Sequence, residues 1–151
     1  NGDGMVGTIA QTMQGNQIGI ISPTTLGAAG RRFTAQLNEN ADRFARPVGL
    51  PEMNHNEIVA WSTDASEQCI LYLTCEGMHP RVGARIDWMV ENIEATPSWI
   101  IDCEGESNLE SLLYAAHVTD WISIALAVLN QVDPSSMASI DGLKAHLATI
   151  Q

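Results

Sequence analysis

Apolar positions along the chain fall into short unbroken runs, separated by longer segments with helical period. Gln17-Ile18-Gly19-Ile20-Ile21, Cys69-Ile70-Leu71-Tyr72-Leu73-Thr74-Cys75 and Ser98-Trp99-Ile100-Ile101-Asp102 are runs of this kind. They predict three strands, the first of them buried. Residues 5–14 read as a short helix. Ser22-Pro23-Thr24-Thr25 reads as a turn with capping side chains for the next helix. From Leu26 to Phe44, Leu26, Phe33, Leu37, Ala41 and Phe44 form an apolar stripe, while Arg32, Gln36, Glu39 and Arg43 recur on a second face; this predicts an amphipathic helix. Pro47 to Leu50 reads as extended chain, and Asn54 to Trp61 as a loop or short helix. A helix is predicted over Val82 to Ile93, ending near Thr96-Pro97. Ser107-Asn108-Leu109-Glu110 has a capping-box pattern. The helix it opens runs to about Gln131, is apolar on most faces and is therefore expected to be buried, with Asp133-Pro134 as its stop. Ser136 to Ala148 reads as a last helix. Strands alternating with helices of this length predict parallel βαβ units. The expected fold class is α/β, a three-layer helix–sheet–helix sandwich with a mostly parallel sheet.

The 151 residues suffice for one domain with one core, and residues 1–151 are expected to form a single domain. Hydrophobic residues make up 45% and charged residues 17%, which is a globular composition. The net charge of −11 gives no broad basic footprint and argues against nucleic acid as a partner. The longest nearly continuous apolar run, Trp121 to Leu129, covers nine residues, against the roughly 20 that a membrane span needs, so no membrane partner is expected. No segment reads as a signal peptide or lipidation motif. The three cysteines, Cys69, Cys75 and Cys103, lack metal spacing and read as buried thiols. Together these point to the cytoplasm.

The charge is unevenly spread. Residues 1–50 hold four arginines (Arg31, Arg32, Arg43, Arg46) and three acids, whereas residues 51–151 hold three bases and fifteen acids. A cationic cluster in an acidic chain suits a small anion such as phosphate or carboxylate; on this feature alone a helix surface laced with Glu–Arg pairs is the favoured reading. Two runs are dense in polar groups: Gln36-Leu37-Asn38-Glu39-Asn40-Ala41 and Pro51-Glu52-Met53-Asn54-His55-Asn56-Glu57. Asn is unfavourable inside a helix because it competes for backbone hydrogen bonds, so the first run suggests a role beyond helix stability. In the second, His55 brings an imidazole, a residue type suited to proton exchange, and its flanking amides are placed to fix its tautomer. Glu52 and Glu57 are both candidate partners for it. The bland alternative is a helix start, with Asn54 as cap and Glu57 completing a box.

Arg32, the Gln36–Ala41 run and Pro51-Glu52-Met53-Asn54-His55-Asn56-Glu57-Ile58 closely resemble the signatures of the bifunctional phosphoglucose/phosphomannose isomerases, members of the sugar-isomerase (SIS) superfamily. Val132-Asp133-Pro134 and Ile140-Asp141-Gly142-Leu143-Lys144 resemble that family's ending. The resemblance implies an SIS-type domain, the C-terminal half of a two-half isomerase. It implies interconversion of glucose 6-phosphate or mannose 6-phosphate with fructose 6-phosphate through a cis-enediolate. It makes Glu39 the base, His55 the ring-opening acid/base, Lys144 (the chain's only lysine) a group near the reacting oxygens, and Arg32, Asn38 and Asn54 substrate-binding residues. Proton transfer of this kind requires no metal and no organic cofactor. The implied partners are a sugar phosphate and a second copy in a homodimer, with the histidine reaching a neighbouring subunit's site. Asp42 departs from the family pattern, which usually has a basic residue there. The Ser/Thr-rich phosphate loop belongs to the family's first half; here Ser22, Thr24 and Thr25 either cradle an anion or cap a helix. The alternative function is a non-catalytic sugar-phosphate-binding or regulatory module, and a third is an assembly domain. His79, His117 and His146 read as structural or exposed.

Overall fold

The computed structural model describes residues 2–63, 67–94 and 96–150. Helix α1 (Gly2–Met13) leads into strand β1 (Gln17–Ser22), a 3-10 turn at Thr24–Leu26 and helix α2 (Gly27–Ala41). Strand β2 (Ala45–Gly49), a second 3-10 turn (Glu52–His55) and the short helix α3 (Glu57–Trp61) follow. The chain continues through β3 (Gln68–Thr74), α4 (Pro80–Asn92), β4 (Ser98–Asp102), α5 (Asn108–Leu129) and α6 (Ala138–Leu147).

The four strands form one parallel sheet in the order β2-β1-β3-β4. Alternate residues of each strand feed opposite faces. Ile18 and Ile20 of β1 and Cys69, Leu71 and Leu73 of β3 pack with α1, α2 and α5 in one buried cluster. Ile21, Ile70 and Tyr72 point the other way, and join Met53, Trp61, Ile86 and Met89 from the second 3-10 turn, α3 and α4. This is the expected three-layer sandwich, and each strand run predicted from the sequence is a strand.

Four details differ from expectation. The extended segment after α2 is a paired strand, with Ile20 opposite Pro47 and Ile21 opposite Val48. As an edge strand it tolerates Pro47, which has no N–H to donate. Helix α2 stops at Ala41 because Asp42 turns left-handed at φ 50° and the Arg43 N–H closes on the Leu37 carbonyl at 3.1 Å. Phe44 is thereby taken off the core stripe and is 87% exposed. The capping box before α5 is half formed: Ser107 Oγ accepts from the Glu110 N–H (3.3 Å), but the Glu110 carboxylate accepts from the Glu106 N–H instead of returning to Ser107. Finally, α5 is buried on one side only. Its Ala115, Thr119, Ile122 and Leu126 are buried, while Leu113, Trp121 and Val128 are exposed. By length and composition this 22-residue helix could cross a membrane; here it packs on α1 and α2.

Glycine is required at one point in the sheet. A Cβ on Gly19 would lie 2.7 Å from the Trp61 ring. The missing side chain makes the space in which Trp61 seats α3 against β1.

Candidate functional site

Glu39 lies near the end of α2, and the residues beside it hold that end in place. Asn38 Oδ1 accepts from the Ala45 N–H (3.2 Å), tying α2 to the first residue of β2. Asn40 Nδ2 donates to Gln36 Oε1 (2.6 Å) and to Ser123 Oγ on α5 (2.9 Å). Glu39 itself is exposed. Among the described residues its carboxylate is in none of the ion pairs, which join Arg32 to Asp120, Arg46 to Glu57 and Lys144 to Asp141. Arg43, one turn along, donates to the Asn16 carbonyl at 3.4 Å instead. The arginines therefore do not lace α2 to Glu39: Arg32 reaches across to α5, and Arg46 holds Glu57 through two hydrogen bonds of 2.8 and 2.9 Å.

The histidine run forms the second 3-10 turn and the start of α3. Its amides do not hold the imidazole. Asn56 Oδ1 accepts from the Glu57 N–H and caps α3, the role expected of Asn54. Asn54 Nδ2 lies 3.3 Å from the sulfurs of both Met53 and Met89, and Asn54 Oδ1 is buried with no partner among the described residues. Glu57 is taken by Arg46, and among the described residues Glu52, the other carboxylate flanking His55, is in no ion pair. His55 is exposed.

The topology separates Glu39 from His55. Helix α2 leaves the C-terminal edge of β1 and returns to the N-terminal end of β2, so Glu39 sits by that end. His55 follows the C-terminal end of the same strand. The two lie at opposite ends of β2, and a single copy of the chain does not bring them together. Lys144 is on α6, a helix without a buried residue, with Nζ 3.9 Å from Asp141 Oδ1.

At the C-terminal edge of the sheet, β1 connects outward to β2 and β3 connects outward to β4. This divergence is where open α/β sheets form ligand crevices. The Ser22–Thr25 turn lies there. It caps neither the 3-10 turn nor α2 through a side chain, contrary to the capping role expected; Thr25 Oγ1 is instead 3.7 Å from Cys75 Sγ. His79 Nδ1 accepts from the Arg81 N–H (3.1 Å) and caps α4, and His117 stands edge-on to Trp121. Both have structural partners, as the sequence suggests.

Surface cavities among the described residues include three of about 540–560 Å³. One, of about 540 Å³, opens at the N-terminal edge between Arg43, Phe44, Arg46, Trp61 and Gln68. A second, of about 560 Å³, lies between the second 3-10 turn and α4. The third, of about 540 Å³, lies between the loops after β3 and β4. Glu39, His55 and Lys144 line none of them. The second cavity carries Arg81, Arg85 and Trp88, which the sequence reading passed over. Their signal was available: i, i+4 and i+7 on one helix face, with two of the three bases found after residue 50.

Comparison with known proteins fits this architecture. Residues 5–147 match the family model described as the bacterial phospho-glucose isomerase C-terminal SIS domain. The bifunctional phosphoglucose/phosphomannose isomerase of Aquifex aeolicus is 35% identical over 136 residues, covering 86% of this chain and 42% of the relative. The protein of the same name from Thermoplasma volcanium is 30% identical over 121 residues, covering 80% and 40%. The chain thus spans about two fifths of these relatives' length. Among solved structures, a glucose-6-phosphate isomerase like protein from Thermus thermophilus superposes with a TM-score of 0.69 at 11% identity, over 93% of this chain and 46% of that one. At that identity the likeness is one of fold.

Proposed function

The chain belongs to the family of bacterial phospho-glucose isomerase C-terminal SIS domains, and from that premise we propose that it is the catalytic half of an aldose–ketose isomerase of hexose 6-phosphates. The reaction interconverts glucose 6-phosphate or mannose 6-phosphate with fructose 6-phosphate. The observation that carries the reading is that the family match spans both polar runs, while the fold uses the residues around Glu39 and His55 and leaves those two side chains exposed.

In this mechanism His55 exchanges a proton with the ring oxygen as the sugar opens. Glu39 takes the proton from C2, giving a cis-enediolate, and returns it to C1. The Lys144 ammonium stands near O1 and O2 and offsets the charge that develops there. Arg32, Asn38 and Asn54 contact the substrate. Because Glu39 and His55 lie at opposite ends of β2, a complete site takes one of them from a second copy in a homodimer, and the phosphate is held by a preceding half. The setting is the cytoplasm. A non-catalytic sugar-phosphate-binding module is the second reading; it is favoured by the engagement of Arg32 with Asp120 and of Asn38 with the Ala45 N–H.

The test is Glu39→Gln in the full-length protein. General acid–base groups contribute about 10²–10⁴-fold, so kcat falls by that factor while KM for the sugar phosphate stays close to wild type. Wild-type kcat on both glucose and mannose 6-phosphates, in a variant with an unchanged melting temperature, removes Glu39 as the base.

A further inference from the structure

On the sheet face opposite α2, the second 3-10 turn and α4 frame a cavity of about 560 Å³ lined by Asn54, Ile58, Arg81, Ala84, Arg85 and Trp88. Small-molecule sites occupy about 300–1,000 Å³. Arg81 and Arg85 stand one turn apart on α4, and Trp88 continues the same face. Residues 51–151 hold fifteen acids and three bases, and two of those bases converge here. Among the described residues neither guanidinium is in an ion pair. Arg85 Nη1 donates to the Arg81 carbonyl at 2.9 Å, which fixes the side chain along the helix and leaves its other donors open.

Trp88, at 53% exposure, supplies an aromatic surface on the same cavity. The set therefore combines unneutralised cationic donors and a ring surface.

We propose that this groove binds a phosphate-bearing small molecule that also carries a ring. Arg81 and Arg85 take the phosphate, since guanidinium forks match its oxygens. Trp88 covers the ring. Both phosphosugars and nucleotides have this chemistry. Of the residues the isomerase reading uses, only Asn54 lines this groove; Glu39, His55 and Lys144 do not.

The experiment is calorimetric titration of the full-length protein with glucose 6-phosphate, AMP and inorganic phosphate, with tryptophan fluorescence followed in parallel for the wild type and Trp88→Phe. One of the two esters is expected to bind with a fluorescence change that disappears in Trp88→Phe. Its affinity at that site falls at least about tenfold in Arg81→Gln/Arg85→Gln and persists in Glu39→Gln. Preference for glucose 6-phosphate identifies a phosphosugar site, and preference for AMP a nucleotide site. Unchanged affinity in the double variant overturns the proposal, as does binding of inorganic phosphate as tight as that of either ester. Should the double variant melt early, Arg81→Gln alone gives the same comparison. Isomerase assays on the same samples separate failure of this site from failure of the catalytic assignment.

Discussion

Asn38 and Asn40 show how a polar run divides its work. A run of Asn-Glu-Asn inside a helix looks costly from propensity, and all three residues look like candidates for chemistry. Asn38 is in fact the tie between α2 and β2, and Asn40 the link from α2 to Ser123. These contacts are made across tertiary distances, so no local pattern announces them. Glu39 remains as the residue the fold does not use. The buried thiols support a different prediction at this scale. Burial pushes Cys69 and Cys103 up to about 12 from 9.0, and Tyr72 up to about 12 from 10.0. Above pH 9 the unfolded chain loses these protons while the folded one keeps them, so stability is full below that pH and falls as pH rises toward 12. The slope is at most about 1.4 kcal/mol per pH unit for each group. The urea midpoint at about pH 10.5 is thus expected well below that at about pH 8, with Cys69→Ala flattening the dependence. Equal midpoints at the two pH values contradict burial of these groups as the cause.

At the scale of elements, legibility followed apolar sequence. β1 and β3 are apolar runs because the sheet interior is apolar on both faces, and β4, an edge strand with only Ile101 buried, is legible from its Trp-Ile-Ile run. β2 is an edge strand in which Arg46, Pro47 and Gly49 are exposed; its identity comes from register with β1, not from its own residues. Phe44 misled for the converse reason: it keeps the helical period, but the left-handed Asp42 ends the helix before it. The seating of α3 was likewise hidden, since it depends on Gly19 and Trp61, which are distant in sequence. Gly19→Ala places a methyl group 2.7 Å from the Trp61 ring. Overpacking of this kind typically costs about 1–3 kcal/mol. The predicted loss is of that size in chemical denaturation, with partial recovery in Gly19→Ala/Trp61→Leu, where the smaller side chain leaves room. A Gly19→Ala protein as stable as the wild type means that α3 is not held by this contact.

At the scale of the molecule, fold class and family signatures were legible early, since both rest on short segments of sequence. The separation of Glu39 from His55 was not, because it follows from the direction in which α2 returns to β2. That separation, together with the chain's coverage of only 42% of the Aquifex relative, sets the last prediction. If Glu39 and His55 act on one substrate, they do so across an assembly, and the phosphate is held by residues outside 1–151. Residues 1–151 alone are then expected to fold, since both faces of the sheet are already covered by its own helices. They are expected to turn over fructose 6-phosphate at a small fraction of the full-length rate. Supplying the preceding half as a separate chain should restore activity in proportion to the complex formed, read by light scattering and turnover on the same samples. If this chain alone matched the full-length turnover, the phosphate site would have to lie within it, and the Ser22–Thr25 turn at the C-terminal edge of β1 would become the first place to look.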